Sequence, residues 1–161
     1  MAHHVVVTVD NIGGLTNALD DIQLELEQKL DRLVGELAAQ GAMHASLGFA
    51  RGQYDGEGGV ADVTAENNGD GTAKVIASGD KVLFMEFGAG YLMGYGHPEP
   101  LGFGPGTYPG KGHWDDPNGW WYRWSDGHAH HSYGNPPSAA MYEARKYLEQ
   151  NLAAIAGEIF G

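Results

Sequence analysis

The longest regular pattern of apolar and polar positions runs from about Leu15 to Gln40. Apolar residues recur there at steps of three and four, which places them on one face of a helix. They are Leu19, Ile22, Leu26, Leu30, Leu33, Val34 and Leu37. The pattern predicts a long amphipathic helix, with Thr16 or Asn17 as its N-terminal cap and Gly41 as its C-terminal cap.

Strand patterns flank this helix on both sides. Val5–Val9 is β-branched and predicts a short strand before it, and Leu47–Arg51 is a candidate strand after it. Apolar and polar residues then alternate over Ala61–Glu66 and again over Ala73–Ser78, on either side of Asn67–Gly71. Because Asn, Asp and Gly accept the positive φ angles of tight turns, these segments predict a β-hairpin. Its inward residues are small, so we expect the long helix to pack closely against it.

The segment Phe84–Gly90 marks a change in the character of the chain. Lys81–Phe87 fits either a strand or two helical turns, and we interpret it as a short helix that begins with Ser78 or Asp80 as its cap. Gly88 is expected to end this helix, because glycine adopts the backbone angles that stop a helix at no steric cost.

A long segment without a regular period follows, from residue 89 to residue 136, and we call it the arm. It is rich in Gly, Pro, His and aromatic residues and contains all four Trp residues. Within it, Trp120–Trp124 predicts a strand, and His128–His131 predicts a returning strand across Ser125–Gly127. Loops of this length inside a domain are usually functional or disordered, and this one is too aromatic for simple disorder.

The last pattern predicts a helix from about Pro137-Ser138 to Glu158, since proline is tolerated in a first helical turn. Its apolar stripe comprises Met141, Ala144, Leu148, Leu152, Ile155 and Ile159. We therefore expect one α+β domain over residues 1–161. A small, mostly antiparallel sheet packs against a long N-terminal helix and a C-terminal helix. The core comprises residues 1–88 and 137–161, and the arm residues 89–136.

Composition narrows the possible functions. The formal net charge of −12 argues against a protein that coats nucleic acid, because such proteins need Lys and Arg to displace counterions. The chain has no Cys, which excludes disulfides and thiolate metal sites. The N-terminal residues lack the basic and apolar regions of a secretory signal, and no apolar run reaches the length of a membrane span.

The histidines and tryptophans of the arm allow two alternative functions. The first is a metal-dependent hydrolase that uses arm His and Asp residues as zinc ligands and Asp or Glu99 as general base. Its candidate ligands are His113, Asp115, Asp116, His128, His130 and His131. Their spacing does not match the helical pair of zinc hydrolases. The second is a glycan-binding module that uses Trp120, Trp121 and Trp124. We assign no catalytic, cofactor-binding or metal-binding residue from the sequence.

The aromatic residues of the arm favour a protein–protein interface, because Trp and Tyr dominate the binding energy of such surfaces. The other interpretation is a small aromatic core that ties the arm to its own domain. Glu86 and Gly88 are expected to fix where the arm departs. The candidate interface residues within the arm are Tyr95, Tyr108, Trp114, Trp120, Trp121, Tyr122, Trp124 and Tyr133.

The order of several short motifs resembles the tail-completion family of neck proteins from long-tailed bacteriophages. The motifs are Phe84–Gly90, His97-Pro98-Glu99, Pro105–Tyr108, Trp120–Tyr122, His128, His131, Gly134–Pro137 and Ala139–Met141. That family typically has Glu-Phe-Gly-Thr-Gly at the end of its core, and this chain has Ala89 where the Thr is usual. The resemblance covers roughly residues 10–160.

The resemblance implies a virion structural protein, not an enzyme, that completes the tail or joins it to the head. Such a protein would be made in the host cytoplasm and would act at the head–tail interface. Its partners would be further copies of itself in a ring, for example a hexamer, and neighbouring head-connector or tail-tube proteins. No cofactor, membrane or specific nucleic acid sequence is implied. DNA could pass through the lumen of the ring, where unpaired carboxylates would repel its phosphates.

Overall fold

A computed structural model describes residues 12–52, 61–94, 96–99, 116–123 and 126–161. Its helices are α1 (Ile12–Arg51), α2 (Val82–Phe87) and α3 (Ala140–Phe160). Its strands are β1 (Asp62–Asn67), β2 (Ala73–Ser78), β3 (Trp120–Arg123) and β4 (Ala129–Ser132). The architecture is α+β, as predicted: a long N-terminal helix, a C-terminal helix and small antiparallel sheets. The strand predicted at Val5–Val9 lies outside the described residues.

Helix α1 is longer than the sequence pattern predicted, and three local predictions about it were wrong. It begins by Ile12, so Thr16 and Asn17 lie inside the helix, and it includes the candidate strand Leu47–Arg51. Gly41 does not end it. The glycine is buried where a Cβ would lie 3.0 Å from Leu148 and 3.1 Å from Val75, both in other elements. Gly41 therefore allows close packing and leaves the helix intact.

Helix α3 packs antiparallel on the C-terminal half of α1. Gly48 of α1 lies against Ala140, at the start of α3, while Gly41 lies against Leu148, two turns further along. A Cβ on Gly48 would come within 2.9 Å of the Ala140 backbone, so the two helix axes approach closely here. At a rise of about 1.5 Å per residue in both helices, the end of α3 comes level with about residue 29 of α1.

Strands β1 and β2 form the predicted hairpin, with Val63 paired with Ala77 and Ala65 paired with Val75. The hairpin packs on α1, as its small inward residues led us to expect. Its turn lies over the middle of that helix: Asn67 Nδ2 donates to the backbone oxygen of Asp31 at 3.2 Å.

Short helix α2 fills the space between the hairpin, α1 and α3. It begins after Lys81 without a side-chain cap, so the predicted capping by Ser78 or Asp80 was wrong. Gly88, at φ 77°, ends it as predicted. The buried core cluster consists of Phe49, Val82, Met85 and Ala140, and the partly buried Ala61, Val63, Ala77 and Met141 pack against it.

Strands β3 and β4 form a second antiparallel pair that belongs to the arm, as predicted from its aromatic and histidine segments. The described strands thus form two separate two-stranded sheets, where the sequence suggested one small sheet. The first sheet contributes to the core on α1, whereas the second carries arm residues on its faces.

Candidate functional site at the base of the arm

The start of helix α3 receives its cap from a residue far away in sequence. Ala139, the residue before the helix, has a left-handed backbone (φ 50°) and provides no side-chain cap. The buried Glu86, 5% exposed, instead accepts hydrogen bonds from the backbone N–H groups of Met141 (2.9 Å) and Tyr142 (3.1 Å). A carboxylate at this position satisfies two otherwise unpaired donors and interacts favourably with the helix dipole.

Backbone hydrogen bonds join the same two elements directly. Ser138 N–H donates to the Met85 oxygen at 2.7 Å, and Ala139 N–H donates to the Glu86 oxygen at 3.1 Å. Because Met85 is itself part of the core, the end of α2 and the entry to α3 form one fixed unit. We call this unit the Glu86 junction.

The two ends of the arm meet at the Glu86 junction. Ala89 and Asn135 exchange both backbone hydrogen bonds, each at 2.9 Å, and Asn135 Nδ2 donates to the Phe84 oxygen at 2.9 Å. The two chain segments cross so closely that a Cβ on Gly134 would lie 1.8 Å from the Ala89 oxygen. Gly88 is similarly confined against the backbone of Pro137. The arm is therefore a closed loop whose ends are held within one hydrogen-bonded pair.

A second connection forms eight residues after Ala89, at His97. Its Nε2 lies 3.2 Å from Glu86 Oε1, and its Nδ1 accepts a hydrogen bond from the Glu99 backbone N–H at 3.0 Å. Since Nδ1 accepts, the Nε2 atom carries the hydrogen and donates a hydrogen bond to the Glu86 carboxylate. The ring also packs against Phe87 and Tyr142, with centroid distances of 4.6 and 5.9 Å. Glu86 thus holds both the helix and the arm.

An exposed ion pair lies beside this connection. Arg145 Nη2 is 2.6 Å from Glu99 Oε1, and this hydrogen-bonded carboxylate raises the pKa of the Arg145 guanidinium. Glu86, His97, Tyr142 and the ion pair line a cleft of about 200 Å³. The pair extends the attachment of the arm along the first turns of α3, although exposed ion pairs contribute little to stability.

The β3–β4 hairpin presents aromatic residues to solvent. Trp121 pairs with His131 across the ladder, and their rings lie 4.8 Å apart. His131 in turn contacts the edge of Tyr133 at 4.7 Å. Trp121 is 70% exposed and Tyr133 more than half exposed, whereas Trp120 and Tyr122 on the same hairpin are half-buried.

A short apolar run beside the hairpin enlarges this surface. Tyr91, Leu92 and Met93, which follow the junction directly, are each about half exposed. Leu92 and Met93 share an open cleft of about 570 Å³ with Tyr133 and its neighbours. We call the continuous surface formed by these side chains the arm-base patch; it comprises Tyr91, Leu92, Met93, Trp121 and Tyr133.

The turn of the hairpin is closed by Asp126. Its carboxylate accepts the His128 backbone N–H at 2.8 Å and lies 3.1 Å from His130 Nε2. These hydrogen bonds stabilise the carboxylate and hold the pKa of Asp126 below its usual value, the contact with the His128 backbone having the largest effect.

A second exposed apolar surface lies at the opposite end of the molecule. Residues of α1 before about Leu30 extend past the hairpin turn and past the end of α3, and the side chains described over 13–28 are exposed. Leu19, Ile22 and Leu26 each expose more than half of their surface there. We call residues 13–28 of α1 the overhang.

The interface residues predicted from the sequence therefore divide into three groups. Glu86 and Gly88 are buried in the junction, so they position the arm and do not themselves offer a contact surface. Trp121 and Tyr133 are exposed, and Trp120 and Tyr122 support the hairpin from half-buried positions. The remaining four, Tyr95, Tyr108, Trp114 and Trp124, lie outside the described residues.

Sequence reasoning did not single out Leu92 and Met93, although the apolar run after Gly90 was visible. It also missed His97 and Asn135 as structural residues. A buried hydrogen-bonding role is not visible in a one-dimensional pattern, because the partners of these side chains come from elements that are distant in sequence.

The geometry bears on the metal and glycan alternatives as well. Within the described part of the chain, no three His, Asp or Glu side chains converge as metal ligands would. His130 bonds to Asp126, and His131 lies between two aromatic rings. The candidate ligands His113 and Asp115, like Trp124 of the proposed glycan platform, lie outside the described residues.

Comparisons with known proteins returned no match: no protein-family model, no curated protein and no solved structure is significantly similar to this chain. Among the helices of the described residues, none combines the length and the apolar character needed to cross a membrane.

Proposed function

We propose that this protein is a structural subunit of a long-tailed phage particle and acts at the head–tail junction. It joins or completes the tail by associating with further copies of itself in a ring and with the neighbouring connector or tail-tube proteins. It is made in the host cytoplasm and becomes part of the virion. The proposal assigns it no catalytic step.

The observation that carries this proposal is the exposure of the arm-base patch on a rigid support. Trp121 is 70% exposed, although the arm that carries it is fixed to the core through Ala89, Asn135 and the Glu86 junction. A flexible segment loses conformational entropy when it binds. An aromatic surface that folding has already fixed loses little more. Large exposed apolar surfaces on a fixed support are characteristic of protein-binding sites.

The resemblance to tail-completion proteins supports the proposed position at the head–tail junction of a phage. Its most distinctive motifs are brought together by the fold: Glu86, Gly88 and Ala89 of the first segment contact Asn135 and Met141 of the last two. Residues spread over fifty positions thus form one structural unit, which holds the two ends of the arm. A family whose members share this unit while differing in arm length would keep a common core and vary its contacts.

The charge of the chain suits a protein that surrounds DNA without binding it. A formal net charge of −12 gives a surface that repels phosphates, which would help DNA to slide through a ring. The exposed acidic residues of the overhang, Asp20, Asp21, Glu25 and Glu27, contribute to this charge.

The proposal is tested in the phage that encodes the protein. A nonsense mutation in the gene should yield DNA-filled heads and free tails side by side in the electron microscope. Wild-type protein supplied from a plasmid should restore complete particles, whereas Trp121→Ala should not. Leu152→Ala, an exposed position on α3 away from the patch, is the matched control and should restore them. Complete particles without the protein would refute the proposal.

A further inference from the structure

We propose that the overhang of one copy docks on the arm-base patch of the next copy. This inference rests on the proposed function, which requires copies to associate, and it names the two surfaces that meet. The contact is head-to-tail: each copy offers the overhang at one end and the patch at the other.

The overhang has the character of a helix that requires a partner. Leu19, Ile22 and Leu26 follow the spacing i, i+3, i+7, which is the spacing that helices use when they bind in an apolar groove. The stripe continues toward the C-terminal end of α1 through Leu33 and Leu37, which are partly buried by the hairpin and α3. A helix of about sixteen residues whose apolar stripe is exposed gains little stability from packing, and isolated helices of this length are only marginally stable in water. Covering this stripe therefore stabilises the overhang itself.

The patch offers the complementary shape. The cleft between Leu92, Met93 and Tyr133 is open and mainly apolar, and the exposed Trp121 ring continues its surface through His131. Large aromatic side chains at the centre of an interface, with a groove beside them, are typical of hot spots.

Within one copy, the overhang lies too far from the arm-base patch to dock on it. The patch is attached to the junction, beneath which Met85 contacts Phe49, near the C-terminal end of α1. Ile22 lies 27 residues earlier in the same helix, which corresponds to about 40 Å at 1.5 Å per residue. Two different surfaces separated in this way produce a heterologous contact, and repeated heterologous contacts form a ring when the rotation closes.

Charge favours this pairing over contact between two overhangs. Residues 13–28 include four acidic residues and no basic residue. Two overhangs side by side would bring eight carboxylates together, which is unfavourable. The described residues that form and flank the hairpin with the patch contain two carboxylates, Asp116 and Asp126, and one exposed cation, Arg123. An overhang therefore meets fewer carboxylates there than on a second overhang.

The test uses one variant for each surface. Leu26→Asp places a charge on the overhang stripe, and Leu24→Asp is its matched control. The two leucines are equally exposed (56% and 55%), but Leu24 lies on the other side of the helix. The patch variant combines Leu92→Asp with Trp121→Ala. Each purified full-length protein is examined alone and in equimolar mixture by light scattering after size-exclusion chromatography.

Wild type and Leu24→Asp are expected to assemble, and Leu26→Asp and the patch variant are each expected to remain monomeric. Circular dichroism checks that both variants are folded. Mixing the two monomeric variants should give a dimer and nothing larger, because one supplies an intact patch and the other an intact overhang. This complementation occurs only for a head-to-tail contact.

Three results would overturn the inference, and only the last of them would also count against the proposed function. If wild type assembles and Leu26→Asp assembles equally well, the ring exists but uses other surfaces. If the mixture of the two variants stays monomeric while each has lost assembly, the overhang and the patch do not bind each other. If wild type is monomeric at every concentration, both the inference and self-assembly are wrong.

Discussion

The carboxylate of Glu86 accepts the backbone N–H of Met141 at 2.9 Å, across 55 positions of sequence. One side chain at the end of α2 thereby defines where α3 begins. Through its other oxygen it accepts the N–H of Tyr142 and bonds to His97 of the arm. Helix α3 and the arm thus depend on the same buried carboxylate.

Replacing this charge should destabilise the protein. Glu86→Gln keeps the size of the side chain but replaces an accepting oxygen with an NH₂ group that faces another donor. We expect the free energy of unfolding to fall by about 2 kcal/mol, since a buried N–H is left without a partner. Urea titration followed by circular dichroism measures the loss. Glu99→Gln is the matched control and should leave the midpoint unchanged, because its ion pair with Arg145 is exposed. Equal midpoints for both variants would show that the cap contributes nothing.

The crossing of the two ends of the arm should tolerate no side chain. Gly134→Ala puts a methyl group onto the Ala89 oxygen. We expect the free energy of unfolding to fall by about 3 kcal/mol, or the two chain segments to separate locally. Gly127→Ala is the control: its φ is also positive (81°), but the space around it is open. It should cost only about 1 kcal/mol, for the left-handed backbone. Thermal unfolding and hydrogen exchange at Ala89 and Asn135 distinguish the two. Similar losses of stability for the two variants would mean that the cost comes from the left-handed backbone and not from the close crossing.

The approach of α1 to α3 predicts opposite effects for two Gly→Ala substitutions. Gly48→Ala brings a methyl group within 3 Å of Ala140 and should destabilise by about 1–3 kcal/mol. Gly157→Ala, which has open space at its position in α3, should stabilise by up to about 1 kcal/mol through helix propensity. Chemical denaturation gives both values. Stabilisation by Gly48→Ala would contradict the close contact between the helices.

The arm hairpin should loosen in acid because of Asp126. Its pKa is lowered from the usual 3.8 by hydrogen bonds that exist only in the folded hairpin. A carboxyl group whose folded pKa is depressed adds stability above its unfolded pKa and loses it as the pH falls through the folded pKa. The His128 amide proton should therefore shift in NMR spectra with a midpoint below pH 3.8. Asp126→Asn should abolish this titration. A midpoint at or above 3.8 would show that the turn does not favour the ionised carboxylate.

The contrast between Gly41 and Gly88 shows which parts of the fold local sequence can predict. Both glycines follow an apolar helical pattern, and both were expected to end a helix. Gly88 does so, whereas Gly41 continues the helix because Leu148 and Val75 occupy the space beside it. The information that distinguishes them lies up to 107 positions away. The hairpins were predictable because alternation and turn residues are adjacent in sequence.

The candidate site was predictable only in outline. Arm aromatics and the importance of Glu86 and Gly88 could be inferred from the sequence, but not which side chains would be exposed. Trp120 and Trp121 are neighbours of the same type on opposite faces of β3, and only the packing of the folded chain decides that Trp121 faces solvent. The cap that Glu86 gives to α3 leaves no local signal at Pro137 or Ser138.

Self-association is the central claim, and the mass of the purified full-length protein tests it most directly. Native mass spectrometry over a range of concentrations, with negative-stain electron microscopy of the same samples, gives copy number and shape together. We predict a closed ring with a central opening and a mass that is a fixed multiple of 17.2 kDa. A protein that stays at 17.2 kDa at every concentration, or that forms only dimers, would contradict the account.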